Sequence, residues 1–307
     1  MPMKTIYVVG SLNMDLVIHT DALPKCGETR AGCGFMKNPG GKGANQAAAA
    51  AKLGGRVCMV GCVGKENGKD LLEALAQSGV DTRYVQVYDD VPSGTAVILV
   101  VGGDNRIVLD SGANARVGIS LIEEALLEAQ AGDILVTQCE VSVAAVEYAL
   151  RLAKKKGMTT IFNPAPAAEL GTDVFSFCDY IVPNQTETEF YTGVLPEDEE
   201  GIRRSAEIFL RRGAKNVLIT LGEEGSVCIG DAGCVRIPSY NAGKVLDTTA
   251  AGDTYIGALA VCLAEDMSLR NAMLYAGVAA GLTVTRQGAQ QSMPLRDEVI
   301  KLFEKLT

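Results

Sequence analysis

The pattern that most constrains this chain is an alternation of short apolar runs with longer stretches of helical spacing. Residues 6–9, 57–60, 134–137, 159–162, 180–182 and 217–220 read as short apolar strands. Residues 44–53, 68–78, 120–129, 142–156, 186–192, 201–212, 252–264 and 269–286 read as helices. Strands alternating with helices build a mostly parallel sheet covered on both faces, which makes this an α/β chain. At 307 residues, 48% of them hydrophobic, it has enough apolar material for a sizeable core. In such sheets ligands bind beyond the carboxyl ends of the strands. The polar residues that directly follow each run are therefore the first candidates for function.

Two segments break the alternation. Residues 16–19 with the turn to Cys33, and residues 95–101 with 106–109, read as antiparallel strands. Gly102-Gly103-Asp104-Asn105 is a hairpin signal between the latter two. These predict a small second sheet, a lid or an interface, beside the main one.

Composition removes several classes of function. The chain has no Trp, only 5% aromatic residues and a net charge of −9, which argues against a nucleic-acid partner. Nine cysteines without a CxxC or Cys/His cluster argue against a disulfide framework or zinc site and fit a reducing cytoplasm. No apolar run approaches 18 residues, so no membrane span is expected. His19 is the only histidine, which leaves little room for Ser–His–Asp or Cys–His catalysis, and it reads as a surface residue.

The stretch richest in chemistry is Asp247-Thr-Thr-Ala-Ala-Gly-Asp253, directly before an apolar helix. Ala250, Ala251 and Gly252 leave the first turn of that helix bare. Leading N–H groups have no internal partners and sit at the positive end of the helix dipole, so an anion can approach them. Asp253 would set a carboxylate beside that anion, where it suits a general base better than a phosphate ligand. An ordinary helix start with an acidic first turn is the alternative. Asn13 and Asp15 follow the first strand and share one side, suited to vicinal hydroxyls, or else form a local turn. Gly40-Gly-Lys-Gly-Ala-Asn-Gln46 opens a helix, with Gly41 and Lys42 at the turn and Asn45 behind them. It lacks the hydroxyl that follows lysine in a P-loop, so it reads as a polar-ligand site or a plain loop. Glu140 stands at another strand end. Asn184 and Glu187 fit a capping box or, through water, a Mg²⁺ site. After the strand that ends at Thr220, Gly222 and Gly225 leave room for a flat nucleotide, and Gly288 lies in a loop where carbonyls converge.

Taken together, these clusters resemble the ribokinase family of carbohydrate kinases, in motif order and over nearly the whole chain. The resemblance rests most on the glycine-rich segment 40–47 and on Asp247–Asp253. Asn13-Met-Asp15, Gly112-Ala-Asn114, Asn163-Pro-Ala-Pro166 and Thr285-Arg-Gln-Gly-Ala-Gln290 add to it. It implies a single-domain α/β sandwich over 1–307 with a β-lid from about 12–35 and 92–110. It also implies pairing as a homodimer through the lids, and ATP-dependent phosphorylation of a pentose at its primary hydroxyl. Asp253 would be the base, and Ala250, Ala251 and Gly252 the anion hole. Asn13, Asp15, Gly41, Lys42, Asn45 and Glu140 would hold the sugar. Asn184 and Glu187 would act through water on Mg²⁺. Thr220, Gly222, Gly225 and Gly277 would face the nucleotide. Asp247, Thr249, Thr283, Arg286, Gly288 and Ser292 would hold K⁺, largely through carbonyls. Two positions depart from the pattern: Gly277 where a histidine is expected near the adenine, and Gln185 where an acid is common. Kinases for deoxyribose, other sugars or nucleosides share most of these residues, and a non-catalytic binding protein is the remaining alternative.

Overall fold

A computed structural model describes residues 3–102, 104–231 and 233–307. The chain begins with β1 (Thr5–Val9), β2 (Asn13–Thr20) and β3 (Cys33–Gly40), followed by α1 (Lys42–Lys52) and β4 (Arg56–Gly64). Next come α2 (Lys65–Gln77), β5 (Asp81–Tyr88), β6 (Gly94–Val101), β7 (Asp104–Asp110) and α3 (Ile119–Ala125). The middle holds β8 (Ile134–Gln138), α4 (Val143–Lys155), β9 (Thr159–Asn163), β10 (Tyr180–Ile181), α5 (Gln185–Thr192) and α6 (Glu199–Arg211). The last third holds β11 (Asn216–Thr220), β12 (Ser226–Gly230), β13 (Gly233–Ile237), α7 (Ala251–Ala264), α8 (Leu269–Thr283) and α9 (Arg296–Phe303).

The main sheet has the order β13-β12-β11-β10-β9-β8-β1-β4-β5, parallel from β11 through β5, with β12 and β13 antiparallel. Strand side chains alternate between faces, so β1 divides its residues between two cores. Ile6 and Val8 pack with residues of α1, α7 and α8, and Tyr7 and Val9 with α3, α4 and α6. Mixed α/β layering with a mostly parallel sheet is as the sequence predicts. Three strands lack a sequence signal. β5 is a part-exposed edge strand that mixes Asp81, Thr82, Arg83 and Gln86 with its apolar residues, and β12 and β13 form a short antiparallel return after the last parallel strand.

The small sheet has the order β3-β2-β6-β7. One expectation is corrected here: β2 runs parallel to β6. The chain leaves the small sheet after β3, crosses the main one and re-enters at the same end, and only such a long crossover makes a parallel pair. β3 continues to Gly40, past the expected limit near residue 35. The hairpin is also tighter than read: Asp104 and Asn105 belong to β7, Val101 pairs with Asp104, and Gly103 lies outside the described residues. Helix α8 stops at Thr283 rather than 286, its end tightening as Arg286 N donates to Thr283 O.

Two close approaches fix where ligands can sit. A Cβ on Gly43 would lie 2.5 Å from Ser11 N, so the start of α1 lies against the exit of β1. A Cβ on Gly257 would lie 2.7 Å from both Ala49 Cβ and Gln46 O, so α7 lies backbone-close on α1. Gly257→Val should force these helices apart. Overpacking of this kind costs about 1–3 kcal/mol. Urea unfolding should register that loss together with a fall in activity, and unchanged values for both would refute the contact.

Candidate active site

The exit of β1, the start of α1, the exit of β8 and the start of α7 meet at one end of the main sheet. Glu140, just past β8, binds them together: its Oε2 accepts from Ser11 Oγ at 2.6 Å, Lys42 N at 3.0 Å and Asn13 Nδ2 at 3.2 Å. Gly43 N donates to Ser11 Oγ at 3.3 Å and Ala44 N to Ser11 O at 2.8 Å. The leading N–H groups of α1 are thus used by the protein itself, and the glycine-rich turn is no phosphate cradle.

Asn13 is held from behind by Asn114, which the motif reading did not assign to the site. Leu12 N can only donate, and it donates to Asn114 Oδ1 at 2.9 Å. Asn114 Nδ2 then donates to Asn13 Oδ1 at 2.7 Å, which turns the Asn13 amide nitrogen toward Glu140. Asp15, two residues on, is buried, and no hydrogen bond from the described residues reaches its carboxylate. Burial, with the nearby Glu140 and Asp253 carboxylates, pushes the Asp15 carboxyl up to about 7. Lys42 sits among the same acids. Desolvation acts to lower its pKa, but Asp253, Glu140 and Glu187 outweigh that and raise it, keeping the ammonium charged.

Asp253, in the first turn of α7, is 8% exposed. Its Oδ2 accepts from Asn45 Nδ2 at 3.0 Å and its Oδ1 from Gln46 Nε2 at 2.9 Å. Ala250 precedes it in the left-handed region, at φ 61°. Among the described residues, the N–H groups of Gly252 and Asp253 meet no acceptor, and a Cβ on Gly252 would meet nothing within 4 Å. This is an open, electropositive helix start with a carboxylate on its rim.

Asn184 and Glu187 form the capping box of α5: Glu187 N donates to Asn184 Oδ1 and Asn184 N to Glu187 Oε2, both at 2.8 Å. Glu187 also faces Lys42 and Asp253, and burial is the main cause of its raised pKa. Asn184 bridges to Thr220 at the end of β11. Gly222 is open, with nothing within 4 Å of where a Cβ would be. Gly225 differs from expectation: a Cβ there would run into the backbone of Ile237–Ser239, so its space is taken by the chain and not left for a ligand. Gly277 lies on α8 with open space beside it.

Around Asp247, Oδ1 accepts from Thr249 N and Oδ2 from Gly288 N, both at 2.9 Å, which joins two of the expected cation loops. The Arg286 side chain turns away to pair with Glu298. Ser292 Oγ donates to Ala289 O, and Thr283 Oγ1 to Ala279 O. Among the described residues, the carbonyls of Thr249, Arg286, Gly288 and Ser292 accept no hydrogen bond. That leaves hard oxygen donors of the kind a K⁺ ion takes.

The family model described as pfkB family carbohydrate kinase matches residues 3–296. The chain is similar to the ribokinase of Haemophilus influenzae, 39% identical over 303 residues, covering 98% of this chain and 99% of that protein. It is also similar to the deoxyribokinase of Salmonella typhimurium, 36% identical over 292 residues, covering 94% and 95%. A solved structure of Arabidopsis thaliana ribokinase complexed with ribose and ATP superposes with a TM-score of 0.89 at 32% identity, covering 98% of this chain and 99% of that one.

The state of Asp15 is testable without substrate. Its carboxyl moves from an ordinary 3.8 to about 7 on folding. Below the ordinary value it is neutral in both folded and unfolded chains. As pH rises through the window toward 7, the folded chain must hold a proton that the unfolded chain has lost, so stability falls and then levels off. Asp15→Asn removes that loss. Its stability advantage over the parent should grow from pH 4 to pH 7, by no more than about 4 kcal/mol, and then hold steady. A gap that does not change with pH would contradict a buried carboxyl.

Proposed function

We propose a ribose kinase: the chain belongs to the pfkB family of carbohydrate kinases, and from that premise its site carries phosphoryl from ATP to the O5 hydroxyl of D-ribose. The observation that carries the reading is Asp253, buried and held at both oxygens, beside the unpartnered N–H groups of α7. In this reading, Asn13, Asp15, Gly41, Lys42, Asn45 and Glu140 hold the sugar hydroxyls. The Asp15 carboxylate meets no donor among the described residues, which suits paired hydroxyls. Asp253 takes the proton from O5. The sugar oxygen forms its bond to the γ-phosphorus as the bond to the β,γ-bridging oxygen breaks, and ADP leaves. Negative charge on the transferring group meets the N–H groups of the Ala250–Asp253 turn and the charged Lys42. Such transfer is chiefly positioning and charge neutralisation.

The nucleotide would lie along Thr220, Gly222 and Gly277, with Gly225 shaping the turn beneath it. Asn184 and Glu187 would hold Mg²⁺ through water, and the ion when bound supplies charge neutralisation at the phosphates. The Glu187 oxygens each spend one lone pair on Asn184 and keep others for water, which fits that role. Asp247, with the carbonyls of Thr249, Arg286, Gly288 and Ser292 and the neighbouring Thr283, would hold K⁺ behind the anion hole. The small sheet would act as a lid that excludes water, and as the pairing surface of a homodimer. Phe35, Met36, Val97, Ile107 and Val108 stand exposed on it and support that reading. No helix among the described residues is long and apolar enough to cross a membrane, and a cytoplasmic setting completes the reading. Deoxyribose is the second candidate, supported by the similarity to a deoxyribokinase.

ADP release should be measured with ATP and a panel of ribose, deoxyribose, other sugars and nucleosides. Ribose should be the fastest acceptor, and ribose at background would sink the assignment. Asp253→Asn should lower turnover by at least about 10²–10⁴-fold while ribose still raises the melting temperature. Turnover should also be faster in K⁺ than in Na⁺ at matched ionic strength, and equal rates would remove the cation site.

A further inference from the structure

Behind the carboxylate lies a file of buried side-chain amides that the transfer itself does not use. It starts at a backbone carbonyl. Val182 O can only accept, and it accepts from Asn163 Nδ2 at 2.9 Å. Asn163 must therefore turn its Oδ1 the other way, where Gln46 Nε2 donates to it at 3.2 Å. The second hydrogen of that same Nε2 goes to Asp253 Oδ1 at 2.9 Å. Gln46 Oε1 is fixed in turn by Gln138 Nε2 at 2.6 Å. The orientation of every amide in the file follows from the first, because each hydrogen and each facing lone pair has one use.

Gln46 is 1% exposed and Gln138 fully buried. Neither reaches the open side of Gly252. Among the described residues Gln138 Oε1 has no partner, and it lies against Gly10, where a side chain would collide with it. An orphaned buried acceptor costs stability. Glutamine at this place lowers stability and leaves its donor committed to Gln46, which is the mark of a positioning device.

We propose that Gln46 is a positioning residue for the phosphoryl transfer: held by Gln138 and Asn163, it fixes the plane of the Asp253 carboxylate from the buried side. The oxygen lone pairs that remain then face the ligand side of the site. Asn45 does the same for Oδ2 from the sugar side, so the two neighbouring residues of α1 grip one carboxylate from opposite edges. Turning the carboxylate plane by one lost hydrogen bond shifts the accepting lone pair relative to O5. A misplacement of about 1 Å in a reacting group costs about 10²-fold in rate. The inference rests on Asp253 being the base.

The test is Gln46→Met, which keeps length and apolar bulk and removes the donor. Turnover with ribose and ATP should fall about 10²-fold, while KM for ribose stays within about threefold, since Gln46 touches no substrate. In an Asp253→Asn background the same change should alter the residual rate by less than about twofold, because a positioning residue has nothing left to position. Should Gln46→Met fail to fold, Gln138→Met tests the same file from one residue further away and should lower turnover several-fold at constant KM. Parental turnover in the variant that folds, a loss confined to KM, or equal losses in both backgrounds would each overturn the proposal. If Asp253→Asn itself turns over at the parental rate, the assignment of the base fails, and with it this inference. If Asp253→Asn is inactive and the amide variants are not impaired, the positioning role alone falls.

Discussion

The whole site depends on α1 and α7 lying backbone to backbone at the carboxyl end of the parallel strands. That approach exists because residue 257 has no side chain to hold the helices apart. It brings the starts of two helices to one place with opposite duties. The N–H groups opening α1 are used on Ser11 and Glu140, so that end is closed and neutralised within the protein. Of those opening α7, the Gly252 and Asp253 N–H groups are left free among the described residues. One helix start thus holds the polar cluster together, and the other is available to a bound anion. Had both been open, the glycine-rich turn would have competed for phosphate at the very place proposed for the sugar.

Charge balance follows from the same convergence. Glu140, Glu187 and Asp253 lie near a single ammonium, Lys42, and Asp15 lies near two of those acids, Glu140 and Asp253. Four clustered carboxylates that share one cation cannot all be paired, and the protein resolves this in different ways. Glu140 spends one oxygen on three donors, Glu187 is capped by Asn184, and Asp253 is held by two neutral amides. Asp15 alone has no donor from the described residues to offset its burial, the main cause of its raised pKa. The group left unsatisfied by the protein is the one with the most to gain from ligand hydroxyls.

Much of this was legible in the sequence, and what was not has physical causes. The parallel core could be read because strands buried on both faces are apolar throughout, as at residues 134–137. β5 could not, because an edge strand half-exposed to water carries Asp81, Arg83 and Gln86 and looks like a loop. Asn13, Asp15 and Glu140 were visible as polar residues directly after apolar runs. Asn114, Gln46 and Gln138 were not assigned to the site. Gln138 is the last, fully buried residue of its strand, Gln46 lies inside an alanine-rich helix, and Asn114 in a short turn after the small sheet. Their roles arise from partners about 90 to 210 positions away, which no local pattern encodes. Gly225 failed in the opposite sense: glycine leaves space, but sequence does not say whether a ligand or the chain's own backbone fills it.

The choice of amides around Asp253 has its own logic. An arginine in place of Gln46 would hold the carboxylate at least as firmly, since charge-assisted bonds are roughly twice as strong as neutral ones. It would also stabilise the charged carboxylate and weaken it as a base. A hydrocarbon would remove a donor from the charged form and let the carboxylate plane rotate. An amide lies between these limits: it gives direction with little charge, provided its own orientation is settled elsewhere. Here it is settled by Val182 O, a backbone acceptor that cannot reverse its role. The orphaned oxygen of Gln138 is what this arrangement costs, about 1–3 kcal/mol for a buried acceptor without a partner. A core of this size can carry that loss, whereas a rotating carboxylate at the reacting hydroxyl would act on every turnover.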